Sequence, residues 1–278
     1  NFISFVKLPD LDENPHVYTV DWKKDKIDFI IHAASQASPK YYGIDPVGTL
    51  KANVVGTINL LELARKKKIE SFLYFSSGEV YGILTEDKIP INENSYGYVN
   101  PCDVRSCYAE GKRMGENICV SYFHQYKIPI KIVRPFHTYG PGMQLDDGRV
   151  YADFVRNILQ NEPIQLQSDG SAKRAFCYLT DATIGFIKIL LDGINGEAYN
   201  VGNPNEEKSI LELAKILVNL PQNNNTQIKY LSTKNDNNYM KSPIQRNSPK
   251  IDKINILGWF PKISVEEGFS RTIKSFKQ

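Results

Sequence analysis

What the chain has little of narrows the field first. Its 278 residues hold four cysteines, Cys102, Cys107, Cys119 and Cys177, with no Cys-x-x-Cys spacing among them. They read as free thiols in a reducing cytoplasm, not as a disulfide framework. Histidines also number four, and His137 has no second His or Cys at metal-ligand spacing, so no metal is expected. No apolar run reaches the length of a membrane span. No N-terminal charged-apolar-small pattern marks a signal peptide. The net charge of +3 is too small to argue for nucleic acid, though it suits an anionic small substrate. No internal repeat is visible. What remains, 41% hydrophobic and 23% charged residues, is the composition of a globular protein of one large or two small domains.

Two stretches stand out against this background. The apolar run Ser71-Phe72-Leu73-Tyr74 has strand length and leads into Phe75-Ser76-Ser77-Gly78-Glu79-Val80-Tyr81-Gly82. Two hydroxyls therefore sit at the carboxyl end of a strand, where open α/β sheets bind their ligands. About thirty residues on, Tyr108-Ala109-Glu110-Gly111-Lys112 opens a helical pattern. Tyr108 and Lys112 are four apart and share a helix face. A lysine cation beside a phenol favours the phenolate, so Tyr108 is expected to act as a general base near neutral pH. Ser77 is placed to hydrogen-bond the same substrate hydroxyl. Tyr-x-x-x-Lys alone is common in helices; the preceding strand and serine pair give it meaning.

The rest of the chain supplies a frame. Lys26–Ala34 reads as a strand with a small-residue exit, and Lys127–Val133 as another, leaving through Arg134-Pro135-Phe136-His137. Pro46–Lys68 reads as a helix with Leu50, Val54, Ile58, Leu61 and Ala64 on one side and a cationic end suited to its dipole. Strands and helices alternate up to residue 135, which predicts a Rossmann-like, doubly wound parallel sheet. A smaller α/β lobe is expected after it, with Ser209 capping one of its helices. The boundaries expected are 1–145 and 146–278. One element of such a fold is missing. A dinucleotide-binding sheet begins with a strand and a Gly-x-x-Gly-x-x-Gly turn that holds the pyrophosphate, and residues 1–40 contain none. Either the sequence lacks its first βα unit or a chain this short binds no dinucleotide well; the intact remainder favours the first.

These residues resemble the extended short-chain dehydrogenase/reductase family, in its nucleotide-sugar branch, and most of all the UDP-glucuronate decarboxylases. The likeness is carried by His32–Pro39, Glu79–Gly82, Val99-Asn100-Pro101, Arg105-Ser106-Cys107-Tyr108 through Arg113, Thr138–Pro141, Asp147–Val150 and Arg174-Ala175-Phe176. It implies a bound NAD that takes hydride from sugar C4 while Tyr108 removes the hydroxyl proton, Ser77 shares it and Lys112 holds the nicotinamide ribose. The cofactor would lie along Asp21, Trp22, Ala33, Ala34, Ser35, Ser76 and Pro135. Asn53 would help hold the active-site backbone, its alternative being a solvated helix residue. Glu79 is a second acid/base or a structural carboxylate. Gly78 and His137 would touch the substrate, and Arg149 and Arg174 would grip its diphosphate or form ion pairs instead. A nucleotide sugar, most simply a UDP-sugar, is the expected partner, with a homodimer through residues 46–68 and 108–126.

Three residues depart from that pattern. Gly78 stands where decarboxylases carry Ser and 4,6-dehydratases Asp, His137 where Asn is usual, and Asn247 where the decarboxylase has a carboxylate-binding Arg. Arg246 is adjacent and would serve after a one-residue shift. The second step after C4 oxidation therefore stays open between decarboxylation, 4-epimerisation and 4,6-dehydration. A non-catalytic sugar-nucleotide binder and a protein- or nucleic-acid-binding scaffold are the rival classes. The intact Ser77, Tyr108 and Lys112 argue against the first and the modest charge against the second.

Overall fold

A strand covered on both faces must be apolar on both, and Ser71–Phe75 is buried almost throughout. The computed structural model describes residues 26–166, 168–223, 226–230 and 242–277. In chain order these begin with β1 (Phe29–His32), α1 (Pro39–Ile44), α2 (Pro46–Lys67), β2 (Ser71–Phe75), α3 (Cys107–Tyr126), β3 (Ile130–Pro135) and β4 (Thr138–Tyr139). Next come α4 (Val150–Gln160), β5 (Ile164–Leu166), β6 (Lys173–Ala175), β7 (Cys177–Tyr178), α5 (Leu179–Asp192) and β8 (Ala198–Val201). The remainder is β9 (Glu207–Ser209), α6 (Ile210–Val218), β10 (Ile228–Tyr230), β11 (Arg246–Asn247), α7 (Asp252–Asn255) and α8 (Val265–Ser275).

Strands β1, β2, β3 and β8 form one sheet in the order β1-β2-β3-β8, every pair parallel. The period-two alternation of β2 divides its side chains between two cores. Phe72 and Tyr74 pack with Leu61 of α2 and Cys119 of α3, while Leu73 packs with Ala182 and Ile189 of α5 and with Ile254 of α7. Helices thus cover both faces, and the sheet is doubly wound as its alternating pattern predicts.

The buried face of α2 is not the one its apolar spacing suggests. Leu50 and Ile58 are exposed, whereas Thr49, Asn53, Gly56 and Thr57 are buried beside Leu61 and Ala64. The reason is close approach to α3: a Cβ on Gly111 would sit 3.3 Å from Asn53, and one on Gly115 would strike the Tyr74 ring hydroxyl. Small and hydrogen-bonded residues win over bulky ones there. Asn53 is fully buried and donates to the Thr49 carbonyl (2.8 Å), so it is no solvated helix residue.

A second core packs α4, α6 and α8 around Tyr139, Phe154, Phe176, Leu213 and Phe269. Tyr139 stacks on Phe269 at 3.9 Å between ring centroids. Ser209 caps α6 through a reciprocal pair with Glu212. The stretch from Arg174 to Leu179, which reads as one strand, changes sheets at Phe176. β6 pairs with β9 and β11, and β7 pairs with β4. Burial of the Phe176 ring in the second core accompanies that break.

Candidate active site

The carboxyl ends of β2 and β3 open on a cavity of about 410 Å³. Ser77 lies just past β2 in extended backbone and starts a short 3₁₀ turn, its hydroxyl oxygen accepting from the Glu79 amide (3.2 Å). The first turns of α3 bring Tyr108 and Lys112 to the same cavity. Lys112 is buried and donates to the Phe75 carbonyl at 2.6 Å. Its Nζ stands 5.7 Å from the Tyr108 ring centroid and 5.2 Å from that of Tyr74. Tyr42 of α1 stacks on Tyr108, centroids 5.1 Å apart and planes 15° from parallel, which fixes the phenol's orientation.

The electrostatics correct one expectation. Burial pushes the Tyr108 phenol up to about 12, with the Ser77 hydroxyl the strongest influence in the other direction. Burial likewise pulls Lys112 down to about 7, Glu116 being the largest influence against it. Spacing alone suggests a lysine cation that lowers the tyrosine. In the folded chain both groups lose water, and desolvation penalises whichever form is charged.

Of the residues the resemblance assigns to a cofactor, Ala33, Ser35, Ser76 and Pro135 line the cavity. Ala34 is exposed and does not. Asp21 and Trp22 lie outside the described residues. Ser35 carries a buried hydroxyl with no protein partner. A dinucleotide's nicotinamide end, which needs polar contacts between β1 and α3, fits this donor set.

The residues that depart from the family pattern line the same cavity. Gly78 and His137 line the cavity. A Cβ at Gly78 would press the Phe136 ring at 3.2 Å. Burial holds the His137 imidazole neutral, helped by Arg174 and Arg149, and its Nδ1 has no partner. Arg149 faces the cavity but is ion-paired with Asp147, to which its Nε donates at 2.6 Å. Arg174 lines it too, its guanidinium donating to the carbonyls of Lys173 (2.7 Å), Ile244 (2.8 Å) and Gln245 (3.1 Å).

Arg246 is not brought to the site. β11 runs parallel to β6, Arg246 opposite Lys173 and Asn247 opposite Arg174. Successive side chains of a strand point to opposite faces. Asn247 turns into the cavity with its Oδ1 buried and unpartnered, while Arg246 turns out to a two-point ion pair with Glu207 (2.7 and 2.8 Å) and a contact with Glu86 (3.2 Å). The one-residue shift that would bring Arg246 to the substrate does not occur.

Sequence reasoning missed several contributors. Arg105 lines the cavity and pairs with Glu79 at 3.6 Å. Tyr42, Gln165 and Ser168 line it as well, from segments with no recognisable motif. Glu116 was legible only as the residue four past Lys112. Among the described residues no group of three His, Cys, Asp or Glu could hold a metal ion.

Comparison with known proteins agrees with this geometry. Residues 15–202 match the model of the NAD dependent epimerase/dehydratase family. The chain is 40% identical over 255 residues to UDP-glucuronic acid decarboxylase 3 of Arabidopsis thaliana, covering 91% of this chain and 70% of that protein. It is 37% identical over 254 residues to UDP-glucuronic acid decarboxylase 1 of Danio rerio, covering 91% of this chain and 58% of that protein. The chain thus spans little more than half the length of the second relative. Among solved structures, a UDP-glucuronic acid 4-epimerase mutant from Bacillus cereus, in complex with UDP-4-deoxy-4-fluoro-glucuronic acid and NAD, matches with a TM-score of 0.76 at 25% identity. That match covers 93% of this chain and 79% of the epimerase.

Proposed function

The chain belongs to the NAD dependent epimerase/dehydratase family, and from that premise we propose that it oxidises C4 of a nucleotide-bound sugar and decarboxylates UDP-glucuronate. The observation that carries the reading is the convergence of Ser77, Tyr108 and Lys112 on one cavity. NAD, when bound, supplies the hydride acceptor, held by Ser35, Ser76, Lys112 and Pro135. Tyr108 takes the C4 hydroxyl proton. Ser77 hydrogen-bonds the same hydroxyl and opposes the burial that raises the phenol, and Lys112, in its charged form, favours the phenolate against that burial. Oxidation at C4 turns UDP-glucuronate into a β-keto acid. Its C5–C6 bond then breaks, the electron pair passing into the C4 enolate, CO2 leaving and a proton adding at C5. The C4 ketone then takes the hydride back and its oxygen regains a proton from Tyr108, so that only CO2 is lost overall. Glu79, held by Arg105 at the mouth of the pair, is the candidate acid for that proton.

A second reading is favoured by one observation. The neutral Asn247, not Arg246, faces the cavity, which suits an uncharged sugar and a 4-epimerisation. Incubating the protein and NAD with UDP-glucuronate, UDP-glucose, UDP-N-acetylglucosamine and dTDP-glucose, and weighing the products by mass spectrometry, separates the two. Loss of the mass of CO2 from UDP-glucuronate alone supports decarboxylation. An unchanged mass with a new stereoisomer from a neutral sugar replaces it with epimerisation, and loss of water replaces it with dehydration.

The protein is also proposed to be a homodimer across α2 and α3. Val47, Val55, Met114 and Val120 are exposed on these two helices, which pack against each other. Light scattering at micromolar concentration is expected to give twice the monomer mass, and a monomer would rule the pairing out.

A further inference from the structure

Glu116 lies one helical turn past Lys112 on α3, on the same face. Its carboxylate is a junction of three elements. Arg134 of β3 grips it at two points, Nε to Oε1 at 2.8 Å and Nη2 to Oε2 at 2.6 Å. The Ser76 hydroxyl, at the exit of β2, donates to Oε1 as well. Arg134 then donates to the Tyr81 hydroxyl (2.8 Å) and the Glu93 carbonyl (2.8 Å), and Tyr81 donates to Asn200 of β8 (2.6 Å). Ser76 stands between Phe75, whose carbonyl receives Lys112, and Ser77, which faces the cavity.

We propose that Glu116 is a positioning residue for the reaction: through Ser76 it pins the β2 exit that carries Ser77, and it supplies the negative charge that Lys112 faces. The inference rests on the proposed reaction for what the Lys112 charge accomplishes, but its test does not.

Lys112 has three N–H donors and meets the Phe75 carbonyl with one. Around it stand the rings of Tyr74 and Tyr108, His32 of β1, and Cys119 and Glu116 of its own helix. Burial keeps the His32 imidazole neutral and pushes the Tyr74, Tyr108 and Cys119 protons to higher pH. Glu116, held by Arg134 and Ser76, is the carboxylate in this group. In a site shielded from water its attraction for the ammonium is far larger than at the surface. The Lys112 cation, held down to about 7 by burial, is expected to weaken further without it.

The test is a lysine side-chain carbon-13 NMR titration of the protein, with the Lys112 signal assigned from Lys112→Arg. Wild type is expected to titrate at about 7. In Glu116→Gln the midpoint is expected to fall by about one pH unit or more, and in Glu116→Asp, which keeps the charge, to stay within about half a unit of wild type. Gln leaves the buried Arg134 without its carboxylate, which can cost the fold. The paired variant Glu116→Gln/Arg134→Met, which leaves no charge unpaired, is titrated alongside. It is expected to show a smaller drop in the same direction, since the Arg134 cation that partly offsets Glu116 leaves with it. A folded Gln or paired variant with the wild-type midpoint would overturn the proposal. The titration needs neither sugar nucleotide nor NAD. Absence of turnover in the wild type would count against the proposed reaction and leave this result standing.

Discussion

Two groups of residues that line the cavity, one chemical and one for recognition, are built differently. In the first, each side chain is set by an element boundary: Ser77 by the exit of β2, Tyr108 and Lys112 by the first turns of α3. Neighbours lock them from behind, Tyr42 by stacking and the Phe75 carbonyl by a hydrogen bond. In the second, Gly78, His137 and Asn247 come from three separate segments and leave two buried polar atoms, His137 Nδ1 and Asn247 Oδ1, unpartnered. An unsatisfied buried polar group is costly. Two together mark the place where a ligand's own donors and acceptors complete the structure. Buried atoms without a partner also stand near the chemical residues, at Ser35 Oγ, His32 Nδ1 and Tyr74 Oη. The difference therefore lies in how each group is positioned: the first by local element boundaries, the second by segments that meet only in the folded chain.

Three substitutions sharpen or break this contrast. The largest effect is expected from Tyr108→Phe, which keeps the stack on Tyr42 and removes the hydroxyl. Turnover is expected to fall about a hundredfold or more, with sugar-nucleotide affinity by calorimetry nearly unchanged. A variant close to the wild-type rate would mean that the chemistry lies elsewhere. A smaller effect is expected from Asn247→Arg, which puts a cation among the recognition residues. Preference for UDP-glucuronate over UDP-glucose, read as the ratio of kcat/KM values, is expected to rise by about 1.5–3 kcal/mol, roughly ten- to a hundredfold. No change in that ratio would show that this position does not read the acid group. The smallest effect is expected from Arg246→Ala. Its side chain points away toward Glu207 and Glu86 in a partly buried ion pair outside the cavity, so kcat/KM is expected to change by less than about threefold. A tenfold loss would mean that Arg246 reaches the substrate after all.

The same contrast explains what is legible in the sequence. A strand exit and a spacing of four are local facts, so Ser77, Tyr108 and Lys112 can be named from the order of residues alone. So can the parallel sheet, from its alternating strands and helices. Electrostatics are not legible, because the burial that lifts Tyr108 and lowers Lys112 is a property of the packed chain. The inner face of α2 is easily misread because Thr49 and Asn53 answer to the closeness of α3 rather than to apolar periodicity. Arg246 is misplaced by sequence reasoning for a related cause. A two-residue strand has no pattern of its own, and only its pairing with β6 decides which of two neighbours faces inward.

That pairing carries a consequence for how such a pocket changes over generations. Because side chains alternate strictly along a strand, a slip of one residue in β11 against β6 would exchange Arg246 and Asn247 between the two faces. The inventory of residues would be untouched, yet the side chain presented to the cavity from β11 would turn from an amide to a guanidinium. A single-codon insertion or deletion that moved this register would therefore act as Asn247→Arg does, with neither residue changed. Preference between acid and neutral sugars would be inherited as a parity, even or odd, in the register of a strand.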